Sequence, residues 1–408
     1  MKECVLFTST YPYGYGETFL ETEISFLADS FDKIYIFALT SNTKQVRKVP
    51  HNVVFFSLNQ TSFPFKHLRK MIAGLLDRNI PMEKTSFKKS LFCFYKRGTI
   101  HRATKKVISI LKTNNIVFSN ETLFYSYWLS DTALLSLNLK KQLGLSNICI
   151  SRAHGSDVYS YAQKCGFNPF QHYIVNRLNY VFTVSEDGRE YLSNLYPIFA
   201  NKIMTKRLGT IDCGEQLYHK TNKVLFVTCS NIIPLKRVDS FARIFCRLAK
   251  INHNLRWACF GDGEELEVIK KIISDNKMND YVVFFGRKTN SEILEFYRDN
   301  FVNYFVNLSS TEGLPVSIME AISFGIPCFA TNVGGTKEII NDNNGILLNY
   351  SLTEDELFFA FKKQLDKNQD MYLSMRKSAR EVWEMFFNAD SNYLEWCKTL
   401  MVIGKNEN

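Results

Sequence analysis

Short apolar segments alternate with helix-length segments along almost the whole chain, and no other feature of the sequence restricts the fold as strongly. In the first half, the apolar runs CVLFTST and KIYIFAL flank the amphipathic segment TFLETEISFLADSF. A strand, a helix and a second strand at this spacing form a βαβ unit, which builds a parallel sheet. Further apolar runs follow in the same half: ETLFYSYW, NICISRAHG and YVFTVS. We therefore predict a parallel sheet with helices packed against it.

The same alternation starts again in the second half. The polar segment Cys213–Lys223 has no periodicity, and we interpret it as a linker. Beyond it, segments of helical length separate the apolar runs KVLFVTCS, LRWACFGDG, YVVFFG and NYFVNLSS. The sequence thus predicts an α/β protein with two tandem Rossmann-like doubly wound domains, residues 1–215 and 216–388. Residues 389–408 contain SNYLEWCKTLMV, which we predict to be a helix packing back on the first domain.

Composition excludes several classes of protein. With 408 residues, 46% of them hydrophobic and 22% charged, the chain has the composition of a globular protein of about two domains. Its ten cysteines are scattered singly without a C-x-x-C pair, which argues against a disulfide framework and a structural metal. No apolar run reaches the ~18 residues of a membrane-spanning helix, and the first run is too short for a signal peptide. We expect a cytoplasmic protein, either soluble or peripheral on the inner face of the plasma membrane.

Residues 61–110 are strongly basic, with Asp77 and Glu83 as their only acids, and apolar stretches such as MIAGLL and LFCFY lie between the cations. The net charge of +10 also favours an anionic partner. Two interpretations stay open for this region: a surface that lies on anionic lipid headgroups, and a pair of solvated basic helices. Nucleic acid ranks last, because no helix-turn-helix, RNP or Cys/His finger pattern accompanies the charge.

The stretch SSTEGLPVSIMEAISFGIPCFATNVGG combines the end of a strand, a turn and a helix with two glutamates. Glu312 follows the strand NYFVNLSS and so lies at the carboxyl edge of the sheet, where doubly wound proteins bind ligands. Pro315 suits the first turn of the helix VSIMEAISF, and Gly325 suits its end. The free N–H groups at the start of this helix are able to bind a phosphate, and Gly313 lets an anion approach the backbone.

Glu320 lies in the second turn of the same helix. A carboxylate accepts hydrogen bonds from both hydroxyls of a vicinal diol, and such bonds contribute about 1.5–3 kcal/mol. A phosphate site beside two diol acceptors fits a nucleotide sugar, which has one diol on the ribose and another on the hexose. The alternative is that Glu320 faces solvent, but its neighbours Met319 and Ala321 are apolar, so this would leave a lone charge in a mostly buried helix.

The pattern E-G-L-P-x-x-x-x-E-A-x-x-x-G-x-P resembles the signature of the retaining glycosyltransferases of family 4 (glycosyl transferases group 1). The resemblance covers most of the chain and is weakest in the middle of the first half. It implies the two-domain GT-B fold with an interdomain cleft, a nucleotide-sugar donor and no required metal. By the same resemblance Glu320 holds the donor ribose and Glu312 contacts hydroxyls of the transferred sugar. The backbone of Gly313, Leu314 and Pro315 binds the diphosphate.

The segment SNIIPLKRVD follows the first strand of the second half and places Lys236 and Arg237 beside the same edge of the sheet. Fixed cations there stabilise the charge of a departing diphosphate, and the loss of one such group typically costs about 3–4 kcal/mol. The family that the chain resembles usually has an arginine upstream of this lysine, where this chain has Asn231. We expect either that Arg237 supplies the second cation from a shifted position or that diphosphate binding is weaker.

The segment SRAHGSD places His154 at the carboxyl end of a strand in the first half. From there it is able to hydrogen-bond a sugar hydroxyl or the reacting centre, without acting as a general base. The H-G-x-D pattern resembles the first-domain histidine motif of the same family. Asp157 either orients this loop or contacts the acceptor.

Two further loops supply candidate residues. Gly14 and Gly16 in YPYGYGETF let that loop approach the donor phosphates or the acceptor, with Glu17 as a candidate on the acceptor side. The loop also resembles its counterpart after the first strand in the family. In the second half, Arg287 follows the strand YVVFFG and is expected to stack on or flank the donor base.

The residues and the resemblance together imply a retaining, metal-independent transfer of a sugar from a UDP- or GDP-sugar to a glycan or lipid-linked acceptor, in the assembly of cell-surface polysaccharide. His154, Glu312, Lys236 and Arg237 are the residues expected at the reacting centre. In the front-face mechanism usually proposed for such enzymes, the departing β-phosphate deprotonates the acceptor, which agrees with the lack of an obvious carboxylate nucleophile. We expect no cofactor beyond the donor substrate and no metal, since the chain has no D-x-D motif.

Other functions stay open at this point. A nucleotide-sugar epimerase or hydrolase of the same fold would consume the donor without an acceptor. A non-catalytic sugar-nucleotide-binding protein would need the same pockets and show no turnover. A dehydrogenase is disfavoured, because neither half opens with the dinucleotide fingerprint G-x-G-x-x-G.

Overall fold

A computed structural model of the chain describes residues 2–14, 16–41, 46–58, 74, 79–81, 86–163, 165–218 and 223–404. The residues group into two compact units. The first unit comprises Met1–Arg207 with Tyr393–Asn408, and the second comprises Leu208–Asn392. Each unit is built on one sheet whose strands all pair in parallel. The predicted fold class, two tandem doubly wound α/β domains, is therefore confirmed.

The first sheet consists, among the described residues, of β1 (Glu3–Thr8), β2 (Lys33–Ala38), β3 (Val53–Ser57), β4 (Leu123–Ser126), β5 (Cys149–Ala153), β6 (Tyr180–Thr183) and β7 (Ile203–Thr205). Their order in the sheet is β3-β2-β1-β4-β5-β6-β7. The direction of this order reverses between β1 and β4, which are hydrogen-bonded neighbours. Residues Cys4 to Phe7 of β1 are fully buried, as expected for a central strand covered by helices on both faces.

The helices of the first unit are α1 (Leu20–Ser30), α2 (Phe87–Thr113), α3 (Asp131–Leu143), α4 (Gly155–Val158), α5 (Gln171–Arg177) and α6 (Glu186–Leu195). In α1 the buried Leu20, Ile24 and Leu27 recur at helical spacing and so form one apolar face. Of the basic region 61–110, the later part forms the single long helix α2. Its remaining residues, apart from 74, 79–81 and 86, lie outside the described residues.

The second sheet consists, within the described ranges, of β8 (Val224–Cys229), β9 (Leu255–Phe260), β10 (Val282–Gly286), β11 (Tyr304–Asn307), β12 (Cys328–Thr331) and β13 (Gly345–Leu348). Their order is β10-β9-β8-β11-β12-β13. Here the reversal falls between β8 and β11, where Tyr304 lies opposite Phe226 and Phe305 opposite Val227.

The helices of the second unit are α7 (Val238–Ile251), α8 (Leu266–Asp275), α9 (Asn290–Asp299), α10 (Val316–Ser323), α11 (Glu354–Leu365) and α12 (Gln369–Phe386). Aromatic side chains hold these helices on the sheet. Phe329 of β12 stacks on Phe361 of α11 with ring centres 3.9 Å apart, and Phe241 of α7 meets Trp257 of β9 edge to face at 5.0 Å. Such pairs contribute about 0.5–1.5 kcal/mol beyond the burial of their area.

The compact units divide earlier than the sequence predicts. The boundary falls between Arg207 and Leu208, so that the predicted boundary at residue 215 and the described part of the predicted linker lie inside the second unit. Gln216 explains why this polar segment is ordered there. Its side-chain amide donates to the carbonyls of Tyr297 and Asn300, and its oxygen accepts from the guanidinium of Arg376.

The last helix, α13 (Ala389–Ile403), starts with residues of the second unit and continues from Tyr393 onward with residues of the first. Within the first unit, the indole of Trp396 is fully buried and donates to Glu23 over 2.8 Å. The same carboxylate lies 3.3 Å from Nε of Arg152, whose guanidinium stands 4.4 Å from the centre of the Trp396 ring. A charge pair buried in this way is stable only when all its partners are present, because a lone buried charge costs about 3–5 kcal/mol.

Candidate functional site

The strand order of the second sheet reverses between β8 and β11, and crevices at such reversals bind ligands in open α/β sheets. The loop after β8 contains a short 3-10 turn, Pro234–Lys236. The loop after β11 runs from Leu308 to Pro315. The two loops are tied together, because the backbone N–H of Ser310 donates to the carbonyl of Leu235 over 2.8 Å. Sequence motifs that lie far apart along the chain therefore meet at one edge of the sheet.

Lys236 and Glu312 form an ion pair at this edge. Lys236 Nζ lies 2.7 Å from Oε1 of Glu312, and the amide of Asn307 donates to the same oxygen over 3.2 Å. Both side chains are partly buried, Glu312 more than Lys236. Oε2 of Glu312 has no protein donor among the described residues. The pair therefore offers one anchored cation and one carboxylate oxygen that is open to a ligand.

A small cavity of about 10 Å³ lies beside this pair, lined by the ends of β8 and β11 and by the start of α7. The hydroxyl of Ser309 is buried here and has no hydrogen-bond partner among the described residues. The volume is about that of one water molecule. This cavity is thus part of the floor of the crevice and is too small for a ligand.

The predicted turn Gly313-Leu314-Pro315 leads directly into α10. Pro315 occupies the N-cap position, one residue before the first helical residue, so the helix begins slightly later than the sequence suggests. In its first turn the N–H of Ile318 already donates to the carbonyl of Pro315, whereas those of Val316 and Ser317 have no acceptor within the helix and are available to an anion. The carbonyl of Gly313 accepts from the N–H of Gly335, and the side chain of Leu314 is buried, which holds the turn in place.

The end of α10 follows the predicted pattern. Gly325 has a left-handed φ of 70°, which an L side chain rarely adopts. The N–H of Ile326 donates to the carbonyl of Ala321 and the N–H of Gly325 to that of Ile322, the two bonds of a Schellman motif. The helix is thereby limited to two turns, and Glu320 lies in the second of them.

Glu320 is a buried carboxylate with a neutral partner. Its side chain is only 9% exposed, and the amide of Asn290 donates to Oε1 over 2.5 Å. Burial raises the pKa of Glu320 to about 7, and the hydrogen bond from Asn290 opposes this shift. The titratable groups that face it in the described structure are the thiols of Cys213 and Cys229 and the phenol of Tyr297, and burial raises the pKa of all three. No cation among the described residues therefore balances Glu320, and a hydroxyl donor would be a suitable partner for it.

Arg237 and Arg287 differ in what they contact. Arg237 has a left-handed φ of 48°, and its guanidinium lies 5.0 Å from the ring centre of Tyr350. Nη2 of Arg287 donates to Oδ1 of Asn231 over 3.4 Å. The residue at which the chain departs from the family pattern is thus the partner of an arginine from another loop.

The first sheet has a corresponding reversal between β1 and β4, and there the loop YPYGYGETF follows β1. Glu17, predicted on the acceptor side, folds back into its own loop. Its carboxylate accepts from the backbone N–H groups of Ser9, Thr10 and Tyr11 over 2.7–2.9 Å, and from the indole of Trp128 over 2.5 Å. Glu17 is 8% exposed, so the structure assigns its carboxylate to the loop itself.

The two glycines of this loop allow its tight path. Gly14 has a φ of 64°, in the left-handed region. A Cβ at Gly16 would stand 2.6 Å from the hydroxyl oxygen of Thr10, closer than real contacts allow. Gly14 therefore suits its backbone conformation, and a side chain at position 16 would displace the Thr10 hydroxyl, which donates to Glu17.

His154 follows β5, as predicted, and its ring is enclosed by aromatic side chains. The ring centres of Trp128, Tyr127 and Phe19 lie 4.6, 5.1 and 5.2 Å away. Burial, and then the charge of Arg152, lower the pKa of His154 to about 3. The ring is therefore neutral at pH 7, and Nε2 is buried without a partner among the described residues.

Asp157 orients the His154 loop. Its carboxylate accepts from the backbone N–H of His154 over 2.6 Å and from that of Leu129 over 2.5 Å. Burial raises its pKa to about 7, against the lowering effect of these two bonds. The side chain is 3% exposed and its oxygens are occupied, which favours the orienting role over contact with an acceptor.

Three residues that the sequence did not point to each bind a predicted glutamate: Asn290, Asn307 and Trp128. Asn307 ends β11 and Asn290 begins α9 after the loop that follows β10, so their positions near the carboxyl edge of the sheet are a usable signal. Trp128 is the last residue of the apolar run ETLFYSYW, and nothing local links it to Glu17.

The described residues include no group of three or more His, Cys, Asp or Glu side chains that could hold a metal ion. Within the same ranges, none of the helices combines the length and the apolar character that crossing a bilayer requires.

Comparison with known proteins identifies similar sequences. Residues 214–382 match the family model described as glycosyl transferases group 1. The chain is 26% identical over 169 residues to the UDP-N-acetylglucosamine--peptide N-acetylglucosaminyltransferase GtfA subunit of Streptococcus agalactiae, covering 41% of this chain and 31% of that protein. It is 24% identical over 266 residues to the N-acetyl-alpha-D-glucosaminyl L-malate synthase of Bacillus anthracis, covering 62% and 68%. The O-antigen biosynthesis glycosyltransferase WbnH of Escherichia coli is 32% identical over 157 residues, covering 38% and 40%. The chain thus spans about a third of the length of the first of these relatives.

Solved structures resemble the whole chain. The lipopolysaccharide outer core galactosyltransferase WaaB in its apo form has a TM-score of 0.67 at 14% identity, covering 99% of each chain. A mutant of Staphylococcus aureus TarM, solved with Fondaparinux, alpha-GlcNAc-glycerol and UDP, has a TM-score of 0.70 at 14% identity, covering 98% of this chain and 100% of that one. At this identity the likeness shows the fold, two Rossmann-like domains in tandem as in the GT-B proteins.

Proposed function

We propose that this chain, which belongs to the glycosyl transferases group 1 through residues 214–382, transfers a sugar from a nucleoside-diphosphate sugar to a hydroxyl of a glycan or lipid-linked acceptor. The observation that carries the proposal is the environment of Glu320. Its carboxylate is buried at the edge of the second sheet with one neutral partner and no cation near it in the described structure. A ribose diol supplies two hydroxyl donors to such a group.

The neighbouring groups fit the rest of the donor. The N–H groups at the start of α10 and the ammonium of Lys236 are suited to the diphosphate. Oε2 of Glu312 is suited to a hydroxyl of the transferred sugar, since Oε1 is held by Lys236 and Asn307.

In the first unit, we assign Nε2 of His154 to a hydrogen bond with a substrate hydroxyl, because the neutral ring presents a buried acceptor without a partner in the described part of the chain.

In the proposed front-face reaction, the bond between the anomeric carbon and the phosphate oxygen breaks while the acceptor oxygen attacks from the same face. The proton of the acceptor hydroxyl passes to the departing β-phosphate, and the anomeric configuration is retained. Lys236 stabilises the charge that develops on this phosphate. No protein carboxylate has to act as nucleophile, and no metal is required by the arrangement that we propose.

The relatives support a UDP-sugar as the first donor to test. The names of two of them include UDP-N-acetylglucosamine or UDP, and WbnH is described as acting in O-antigen biosynthesis. We therefore place the reaction in the assembly of cell-surface polysaccharide at the cytoplasmic face of the membrane, with a GDP-sugar as the alternative donor.

The test is turnover of a panel of UDP- and GDP-sugars by the purified chain, with and without a lipid extract that contains the acceptor. Release of the nucleoside diphosphate should depend on the extract and should persist in EDTA. The new linkage, analysed by NMR, should have the anomeric configuration of the donor. Glu320→Gln should lower turnover at least about tenfold, since it weakens one to two hydrogen bonds to a charged group. Glu295→Gln, an exposed glutamate on α9, is the matched control.

Release of the diphosphate at the same rate without any acceptor would replace the transferase with a hydrolase. Binding without turnover in every combination would replace it with a sugar-nucleotide-binding protein. Equal turnover of Glu320→Gln and Glu295→Gln would remove the role of Glu320 in donor binding.

A further inference from the structure

The departing diphosphate needs positive charge at the carboxyl edge of the second sheet. The cationic side chains in the loops there include Lys236, Arg237 and Arg287. Their partners in the structure differ, and these contacts determine where each charge is held before a diphosphate binds.

Lys236 and Arg237 are both engaged. The ammonium of Lys236 lies 2.7 Å from the carboxylate of Glu312. The guanidinium of Arg237 lies 5.0 Å from the ring centre of Tyr350, and its Nη1 is 3.5 Å from the Tyr350 carbonyl. These contacts hold Arg237 against the loop that follows β13.

Arg287 also has a neutral partner, and this partner lies in the loop after β8. Its Nη2 donates to the side-chain oxygen of Asn231, and the described residues place no carboxylate in ion-pair distance of its guanidinium. The next cation along the chain, Lys288, is paired with Glu292 at 2.8 Å. An amide orients a guanidinium without cancelling its charge, and Nη1 and Nε of Arg287 keep their donors for a second partner.

Backbone packing fixes Arg287 close to the loop after β8. The N–H of Gly261 donates to the carbonyl of Gly286 over 2.8 Å. A Cβ added at Gly261 would stand 1.9 Å from the carbonyl oxygen of Ser230, so the loops after β8 and β9 touch at backbone distance. Arg287, directly after Gly286, is therefore held next to Asn231 by the three loops.

We propose that Arg287, oriented by Asn231, is the second cation that binds the diphosphate beside Lys236, and that it does so in place of Arg237. This inference rests on the proposed function. It changes the role expected from the sequence, where Arg287 flanks the base and Arg237 supplies the charge. A planar guanidinium binds two phosphate oxygens at once, which suits a group that has to follow the diphosphate as it gains charge.

Calorimetric titration with UDP and GDP, and then with the monophosphate of the nucleotide that binds more tightly, separates a phosphate contact from a base contact. Arg287→Ala should weaken binding of the diphosphate at least about tenfold and of the monophosphate much less. Lys288→Ala, the neighbouring exposed cation, should change neither. Arg237→Ala should weaken diphosphate binding less than Arg287→Ala does.

The second part of the test moves the guanidinium from one loop to the other. In the double variant Asn231→Arg with Arg287→Ala, the guanidinium returns to the same place from the other loop. We expect this variant to recover most of the diphosphate affinity that Arg287→Ala loses, and to show again the steep salt dependence of the unmodified chain. Asn231→Ala should weaken diphosphate binding by a smaller factor than Arg287→Ala, because it only releases the orientation of the guanidinium.

If Arg287→Ala weakens binding of the diphosphate and of the monophosphate equally, Arg287 contacts the base, and the inference is overturned. A loss in Arg237→Ala as large as that in Arg287→Ala would also overturn it. In both cases the unmodified chain still binds and turns over its donor, so the proposed function stands. If the unmodified chain binds neither UDP nor GDP, the proposed function and the inference fail together.

Discussion

Glu17 in the first unit and Glu320 in the second are both buried carboxylates near the place where the strand order of their sheet reverses, yet their surroundings are opposite. Glu17 accepts from three backbone N–H groups, from the hydroxyl of Thr10 and from the indole of Trp128. Glu320 accepts from the single amide of Asn290 among the described residues. A saturated carboxylate shapes a loop, whereas an unsaturated one has capacity left for a ligand.

The difference shows why burial of a glutamate is by itself a poor sign of function. Both side chains are less than a tenth exposed, 8% for Glu17 and 9% for Glu320. The number of donors that the protein itself supplies separates them. The comparison leads to measurements in which Glu17 affects folding and Glu320 affects binding.

Removal of Glu17 should have the largest effect. Glu17→Ala leaves several donors after β1 without an acceptor, and we expect the free energy of unfolding to fall by about 3–5 kcal/mol. Urea unfolding followed by circular dichroism measures this fall. Glu21→Ala, a half-exposed glutamate on α1 that pairs with Arg47, is the control and should cost at most about 1 kcal/mol. Equal costs for the two variants would show that Glu17 does not organise the loop.

The next largest effect is expected for Lys236, on turnover. Lys236→Ala removes the anchored ammonium and should lower kcat by a factor that corresponds to about 3–4 kcal/mol. Lys250→Ala, an exposed lysine at the end of α7, should leave kcat unchanged. Rates measured at saturating donor test this, and a change confined to KM would show that Lys236 does not act on the transition state.

Ionisation of Glu320 should lower the free energy of unfolding, so its effect on stability should depend on pH. Burial raises its pKa from 4.5 to about 7, so the folded state resists an ionisation that the unfolded chain undergoes freely. The penalty grows as pH rises from about 4.5 to about 7 and is complete above that. Glu320→Gln should therefore stabilise the protein by up to about 3 kcal/mol at pH 8 and by less than about 1 kcal/mol at pH 5. Thermal unfolding at both pH values measures this, and an equal change at both would contradict it.

Replacement of Asn290 should have the smallest effect of the four, on the affinity for the nucleotide. Its hydrogen bond lowers the pKa of Glu320, so Asn290→Ala should raise that pKa further. If donor binding needs the ionised carboxylate, the affinity for UDP or GDP should fall about fivefold at pH 7 and recover as pH rises. Ser291→Ala, the adjacent exposed residue, is the control. A uniform loss at every pH would mean that Asn290 contacts the ligand directly.

Local sequence patterns predicted most of the fold, because the core strands are apolar runs and the helices between them have clear lengths. Several elements were left unassigned: the edge strands Val53–Ser57, Ile203–Thr205 and Gly345–Leu348, the buried strand Cys328–Thr331, and the helices Glu354–Leu365 and Gln369–Phe386. Edge strands are covered less completely than central ones, so their apolar pattern is weaker: β3 is mostly half-exposed, with the pattern broken after Val53.

The features of the candidate site likewise divide into those that local sequence predicts and those that it does not. The motif around Glu312 and Glu320 was readable, because strand, turn and helix follow one another along the chain. The contacts that separate ligand-binding residues from structural ones could not be predicted, because each contact joins positions that are distant in the sequence. Glu320 and Asn290 are 30 residues apart, Arg287 and Asn231 are 56 apart, and Glu17 and Trp128 are 111 apart. Only the topology of the sheets brings these partners together.

The membership of Tyr393–Asn408 in the first unit has a practical consequence for fragments and chimeras. A fragment that ends at Arg207 lacks Trp396, and Glu23 and Arg152 then lose the indole that closes their buried cluster. We expect such a fragment to be unstable even though it contains every described strand of its sheet. An exchange of the first unit between related chains therefore has to transplant two separate stretches of sequence.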